Sequence, residues 1–388
     1  MSTLSSEEVH SKIHLLIENL CSIRDDEGEF LQHLPDGRIV DTKSWDTNTW
    51  EWTHGVGLYG LWRYYILTKD PSIKQRIISW FDMRFASGIE VDKNINTMSP
   101  MLTLACLYEE SGDERYLPIL MEWSYWAMYS ANRTEQGGFQ HDTFQGPSPQ
   151  QLWDDTLMMT VLPLTKMGLL LKKPGYVAEC KAQFAIHCTY LFDETTGAFF
   201  HGWTFKGNHN FASARWARGN SWITIAIPDF IELLDAAGAD SGSDLVRSNL
   251  LAILECQLDF LARTQDRATG LWHTILDHND EGAYLESSAT CGFAYGILKA
   301  IRLGLCLEAK VENYRQMAET AVEGVLSNID AKGELQKTSF GTAMGSDLDF
   351  YRRIPITPMP YGQAMAIMAL TEYLQGREMV QNTECMAE

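Results

Sequence analysis

Two carboxylic acids stand side by side in Gln151-Leu-Trp-Asp-Asp-Thr-Leu-Met-Met159, at the head of an apolar stretch with helical spacing. Neighbours on a helix are about 100° apart, so at most one of Asp154 and Asp155 faces the centre of the fold. A carboxyl beside Trp153 and apolar neighbours is partly desolvated. Desolvation together with a like charge raises a carboxyl pKa, as a general acid requires. Acids at a helix start also complement the helix dipole, so spacing alone leaves a catalytic and a structural use open. A second group is Ser213-Ala-Arg-Trp-Ala-Arg-Gly-Asn-Ser-Trp222. Here Arg218, free N–H groups at Gly219 and Asn220, and the rings of Trp216 and Trp222 would suit a carboxylate and a sugar. Pairing with a structural acid is the other use for that arginine. His201-Gly-Trp203 adds an aromatic loop, and Trp52 or His54 in Trp50-Glu-Trp-Thr-His54 could floor the same pocket. His33, His141, His201 and His273 occupy related places but lie in separate segments, without the close spacing of most zinc ligands. No metal and no other cofactor is therefore expected. Serine-hydrolase elbows, Walker loops and GxGxxG fingerprints are absent.

The elements that must carry these residues are helices. Apolar residues recur at helical spacing in twelve segments, from Glu7–Ile23 to Tyr361–Leu374. The paired acids open the sixth (Pro149–Leu171) and Gly219 opens the eighth (Gly219–Ala236). Connections after even-numbered segments are short. Those after odd-numbered ones are mostly long, Gly88–Ile95 being the exception. Short loops join antiparallel neighbours, so the long loops gather on one face, where function is expected. They share a repeat: Gly28-Glu-Phe-Leu-Gln-His33, Gly138-Phe-Gln-His141, Gly197-Ala-Phe-Phe-His201, Gly270-Leu-Trp-His273 and a degenerate Gly333-Glu-Leu-Gln-Lys337. Each reads as a turn followed by a short strand. Six hairpins with no polar cap at either end favour a closed double ring over an open superhelix. The expectation is an all-α (α/α)6 barrel, even helices inside, as one domain over 1–388 with a short disordered tail from about 377 to 388.

Composition narrows the partners. A formal net charge of −20 argues against nucleic acid and anionic membranes. Twelve Trp and 15 Tyr supply flat apolar faces with polar edges, which sugars favour. The 8 Cys form no CxxC pair and read as reduced. Residues Met1 to His10 do not resemble a signal peptide and no apolar run reaches membrane-spanning length, so a cytoplasmic enzyme is expected, as monomer or homodimer.

Four segments carry a family resemblance: Trp50-Glu-Trp-Thr-His-Gly-Val-Gly-Leu-Tyr-Gly60, Leu152-Trp-Asp-Asp-Thr-Leu-Met158, Trp216-Ala-Arg-Gly-Asn-Ser-Trp222, and Glu286-Ser-Ser with Tyr295-Gly296. Over nearly its whole length the chain resembles the unsaturated rhamnogalacturonyl hydrolases of glycoside hydrolase family 105, relatives of the unsaturated glucuronyl hydrolases. The resemblance implies an (α/α)6 barrel without a metal requirement. Its substrate would be an unsaturated oligosaccharide left by a polysaccharide lyase. It implies the acid role for Asp155 rather than Asp154, which is left to the helix terminus or a neighbouring loop. It also implies pocket tryptophans at Trp153, Trp216 and Trp222, a carboxylate-binding Arg218 and a substrate-contacting His201. The family's second pocket aspartate is missing. That stretch reads Asp92-Lys-Asn-Ile-Asn-Thr-Met98, where Asn94 or Asn96 takes its place. A polysaccharide lyase or sugar epimerase on the same barrel is the competing enzymatic reading.

Overall fold

A computed structural model describes residues 5–88, 91–239, 244–280 and 282–387, with the side chains of the last helix described to residue 379. Thirteen α-helices occur among the described residues: α1 Ser6–Ser22, α2 Trp52–Thr68, α3 Pro71–Ala86, α4 Pro100–Ser111, α5 Leu117–Tyr129, α6 Leu162–Leu170, α7 Pro174–Leu191, α8 Ala217–Ala236, α9 Leu245–Thr264, α10 Ser287–Arg302, α11 Val311–Ser327, α12 Leu348–Arg352 and α13 Pro360–Ala387. Six of them close a ring: α2 packs on α4, then α6, α8, α10 and α13, and α13 returns to α2. The others lie outside, with α3 on α2, α5 on α4, α7 on α6, α9 on α8, α11 on α10 and α1 on α13. This is the expected double ring.

Residue pattern explains which helices go inside. Every residue of α8 from Ala217 to Ile231 is buried, so it is apolar or internally satisfied all round. Outer α11 buries one stripe, Tyr314, Met317, Ala318, Ala321, Val322 and Val325, at the spacing of an amphipathic helix. Glycine lets the inner helices touch: a Cβ at Gly60 would lie 2.8 Å from the Cβ of Ala364, and one at Gly296 would lie 2.1 Å from the carbonyl of Thr224.

The long loops carry short antiparallel pairs: β1 (Gln32–His33) with β2 (Ile39–Val40), β3 (Gln151–Trp153) with β6 (Gly202–Thr204), β4 (Phe192–Asp193) with β5 (Ala198–Phe199), and β7 (Trp272–His273) with β8 (Leu285–Glu286). The repeat glycines close tight turns, Gly197 between β4 and β5 and the others just ahead of the extended residues that follow them. Gly28, Gly197, Gly270 and Gly333 all have φ between 71° and 90°, a region glycine enters at little cost. In the second copy the turn falls on Gly137 (φ 83°) rather than Gly138, one residue earlier than the sequence pattern indicates.

Three elements differ from expectation. The sixth segment is not helical from Pro149: it starts as strand β3, and Leu157–Val161 forms a π-helical turn before α6. The long segment after α11 contains a further helix, α12, capped by the Asp347 carboxylate on the Phe350 N–H. The last helix runs on to Ala387, where a tail without structure was expected from about 377. Glu, Met, Gln and Ala dominate that stretch and no proline stops it. No helix among the described residues is long and apolar enough to cross a membrane.

Candidate active site

The β3–β6 pair builds the centre of the site. Its register sets Trp153 against Gly202, and the Asp154 N–H donates to the His201 carbonyl at 3.0 Å. The chain then turns into its first helical residues, which aims Asp155 into a pocket on the loop face. That pocket is lined by Trp52, Asn96, His141, Trp153, Trp216 and Arg218, together with the loop segments Thr143–Gln145 and Phe340–Ala343. π-Helical turns such as the one that follows are frequent at functional sites.

Asp155 keeps about a sixth of its side chain exposed, and its Oδ2 lies 3.2 Å from His201 Nε2. An ionised carboxylate can only accept, so Nε2 carries the proton and Nδ1 accepts from the Tyr351 hydroxyl at 2.7 Å. Tyr351, His201 and Asp155 thus form a chain from α12 to the pocket. Around it His141 stacks flat on Trp153, with ring centroids 4.2 Å apart, and Trp216 lies 4.4 Å from the His201 ring. Burial holds His141 down at about 4, so at neutral pH it is an uncharged face behind the tryptophan.

The two acids differ sharply. Burial pulls the Asp155 carboxyl upward, but the hydrogen bond and charge interaction with His201, and the nearby His141, outweigh it and hold Asp155 at about 2. Asp154 is fully buried, and neither of its oxygens has a hydrogen-bond partner. Burial, then the charge of Asp155, push its carboxyl well above the usual range. So the raised acid that the sequence led us to expect at Asp155 is Asp154. It serves no loop and caps no helix; it lies against Gly219, where a Cβ would come within 2.2 Å of Oδ2.

Arg218 is fully buried between the Trp216 and Tyr361 rings, 4.4 and 5.0 Å from their centroids. Its Nη1 donates to the Ser339 carbonyl and hydroxyl, and its Nη2 to the Phe340 carbonyl at 2.9 Å; Nε has no partner. Glu286 lies 3.9 Å away. That glutamate caps α10 through the Ala289 N–H and also accepts from the Ser339 N–H, which pins the loop over Arg218. Arg218 thus has a structural acid beside it and at the same time lines the pocket.

Residues 22–376 match the sequence model of Glycosyl Hydrolase Family 88. The chain belongs to that family. A solved structure from Salmonella enterica subsp. enterica serovar Paratyphi A, described as a possible member of the GH105 family, is 52% identical, with a TM-score of 0.91 over 96% of this chain and 95% of that one. A second so described, from Klebsiella pneumoniae subsp. pneumoniae, is 53% identical, with a TM-score of 0.90 over 97% and 95%. The unsaturated rhamnogalacturonyl hydrolase YesR of Bacillus subtilis is 27% identical over 335 residues, 85% of this chain and 91% of that protein. The expected family 105 membership and helical barrel are therefore borne out, and the protein is a glycosidase.

Within this family 88/105 site, Asp155, Trp153, Trp216, Arg218, Trp52 and Asn96 line one pocket, and His201 supports it through Asp155. Asn94 spends its Oδ1 on the Asn96 and Thr97 N–H groups, which leaves Asn96 as the residue that reaches the pocket. Asp92 is at the surface, paired with Arg38. Three candidates lie elsewhere. Asn220 bonds the carbonyls of Phe199 and Trp216 and accepts from the Phe199 N–H, tying α8 to β5. Trp222 sits one layer back, edge-on to Trp52 at 6.1 Å. His54 donates to the Ser44 carbonyl and packs on Trp45 and Trp80. The start of α8 likewise fails to offer an open anion site: the Asn220 N–H returns to the Trp216 carbonyl, and Gly219 faces Asp154. Sequence reasoning missed Tyr351, Glu286 as organiser of Arg218, and the lining segments Thr143–Gln145 and Phe340–Ala343. A short acid-capped helical signal at Asp347-Leu-Asp-Phe-Tyr351 was available for the first.

Proposed function

We propose that this glycosidase removes a 4,5-unsaturated uronic acid from the non-reducing end of oligosaccharides released by polysaccharide lyases, rhamnogalacturonan fragments being the favoured class. The supporting observation is one carboxylate, Asp155, aimed into a tryptophan-lined pocket beside a guanidinium. The match to YesR supports the rhamnogalacturonan class. Such a ring contains an enol ether, C4=C5–O5. A proton delivered to C4 by Asp155 draws the π pair into a C–H bond and leaves an oxocarbenium ion across C5 and O5. Water adds at C5 and returns a proton to Asp155. The resulting hemiketal opens as its hydroxyl proton passes to O5. The hemiacetal left at C1 then expels the aglycone as an alcohol. No displacement occurs at the anomeric carbon, so the carboxylate separations that distinguish retaining from inverting enzymes have no bearing.

Arg218 would hold the substrate carboxylate through its unpartnered Nε, with Trp52, Trp153 and Trp216 against the sugar faces and Asn96 in place of the family's second aspartate. We further take 1–388 as a single catalytic domain that needs no cofactor and acts in the cytoplasm as monomer or homodimer. Incubation with lyase-generated unsaturated disaccharides from several polysaccharides tests the reading. Loss of the ultraviolet absorbance of the C4=C5 bond is expected, fastest with rhamnogalacturonan disaccharides. Unchanged absorbance with all of them would overturn the reading in favour of a lyase or epimerase.

A further inference from the structure

We propose that Asp154 is a buried proton store for Asp155: the two carboxyls share one proton, which rests on Asp154 and passes to Asp155 when the substrate is protonated. The proposal rests on the reading of Asp155 as the acid and answers a difficulty in it. In the resting protein Asp155 is a carboxylate, engaged by His201, and an acid that has already lost its proton cannot deliver one.

Three observations of geometry carry the inference. Oxygens of Asp154 and Asp155 and a ring nitrogen of His201 lie within 4.8 Å of one another. Asp154 is fully buried, and neither oxygen has a hydrogen-bond partner. It occupies space that a side chain at position 219 would need. An ionised carboxylate there would be desolvated with only the neighbouring backbone N–H groups of Asp154 and Asp155 to offset the cost, a state proteins avoid by keeping the group protonated. Two acids this close also resist double ionisation, as in carboxylate dyads. His201 decides where the single charge sits, since its Nε2–H favours the ionised form of Asp155. A proton leaving Asp154 then has the Asp155 carboxylate, with an oxygen within 4.8 Å, as its destination. The direction of both carboxyl shifts agrees with this division.

The charged and titratable groups facing the pair are His201 from the β6 loop, His141 behind Trp153, Tyr351 from α12 and Arg218 at the start of α8. An incoming uronate carboxylate adds a second negative charge beside Asp155 and so favours its protonation. One proton then moves from Asp154 to Asp155 and on to C4. After water adds at C5, its surplus proton returns to Asp155 and then to Asp154, so the pair ends as it began and one water is consumed. Asp154 touches no substrate; it acts through Asp155.

Asp154→Asn and Asp155→Asn, assayed as full chains on an unsaturated disaccharide, test this. Asp154→Asn should lower kcat about ten- to a hundred-fold with KM within about twofold, because the protonated supply is gone while the pocket is intact. Its alkaline limb should move at least one pH unit toward acid, since Asp155 must then be protonated from solution. Wild-type kcat and an unmoved pH profile in Asp154→Asn, with Asp155→Asn inactive, would overturn the proton store alone. An active Asp155→Asn would overturn the reading it rests on. Should Asp154→Asn fail to fold, infrared difference spectra of the wild-type protein at neutral pH decide: a buried carboxylic-acid C=O band that disappears above the alkaline limb supports the proposal, and its absence overturns it. Loss of activity to a chelator, restored by a divalent cation, would also overturn it, by making the same three residues a metal site.

Discussion

The barrel interior holds two buried polar clusters, and they are built on opposite principles. The deeper one joins α2, α8, α10 and α13 at residues 7–15 positions past the helix starts, about 10–23 Å down the axis from the loop face at a 1.5 Å rise. Its acids Asp229, Glu232 and Glu372 match its bases Arg63, Lys299 and Arg302 one for one. The Tyr59 and Tyr295 hydroxyls complete Asp229 at 3.0 and 2.8 Å. At the loop face the count does not balance: the acids Asp154, Asp155 and Glu286 share the region with one fixed cation, Arg218, whose acidic neighbour is Glu286 at 3.9 Å. Four buried atoms there lack partners, both Asp154 oxygens, Arg218 Nε and the Trp216 indole N–H, against Arg63 Nε among the charged groups of the deeper cluster. A balanced cluster resists change, because each group's removal exposes another's charge. An unbalanced one leaves capacity for a ligand.

The contrast can be broken at either end. The largest effect is expected from Asp155→Asn, which should cut kcat about a hundred- to ten-thousand-fold while the melting temperature barely moves. Lys299→Met should do the reverse. It strands Asp229 and should cost about 3–5 kcal/mol in denaturant unfolding, with turnover per folded molecule unchanged. If Lys299→Met instead lowers turnover and leaves stability alone, the two clusters are not separate. Arg218→Lys keeps the charge but loses the planar fork stacked between Trp216 and Tyr361, so KM should rise about tenfold in steady-state assays. The smallest effect concerns stability against pH. Asp154 has a raised carboxyl in the folded protein, so unfolding lets it ionise once pH exceeds its ordinary value of 3.8, and stability falls as pH rises past that point. Asp154→Asn should therefore be more stable than the wild type at pH 7, with the gain vanishing near pH 4. Asp155 runs the other way: held at about 2, it contributes stability above pH 4 that is lost as pH falls through 2. A melting-temperature series over pH for the two asparagine variants separates them.

Helical periodicity and loop parity were enough to read the double ring, because an inner helix buried on every side and an outer helix with one stripe leave different apolar patterns. The pocket was legible where residue type and place coincide, as at Trp153, Trp216 and Arg218. It was illegible where a side chain's direction decides. Asn220 and His54 have suitable chemistry but point into backbone, and only a three-dimensional register shows that. The same holds for the paired acids. Neighbouring positions gave no reason to load the higher pKa on Asp154, because the difference comes from its burial and from His201, which the β3–β6 pairing brings beside Asp155 from 46 residues away.

Closure of the ring through α13 has a consequence for the chain during synthesis. Helix α2 packs between α4 and α13, and α1 has its inner face on α13, so the first two helices find one of their partners only when the last helix has emerged. A chain stopped before Pro360 would present the apolar sides of α1, α2 and α10 to solvent together. Contacts this distant in sequence make for slow final assembly, and apolar surface left waiting is prone to aggregate. Emergence of α13 from the ribosome is thus the step that turns a row of exposed hairpins into an enzyme.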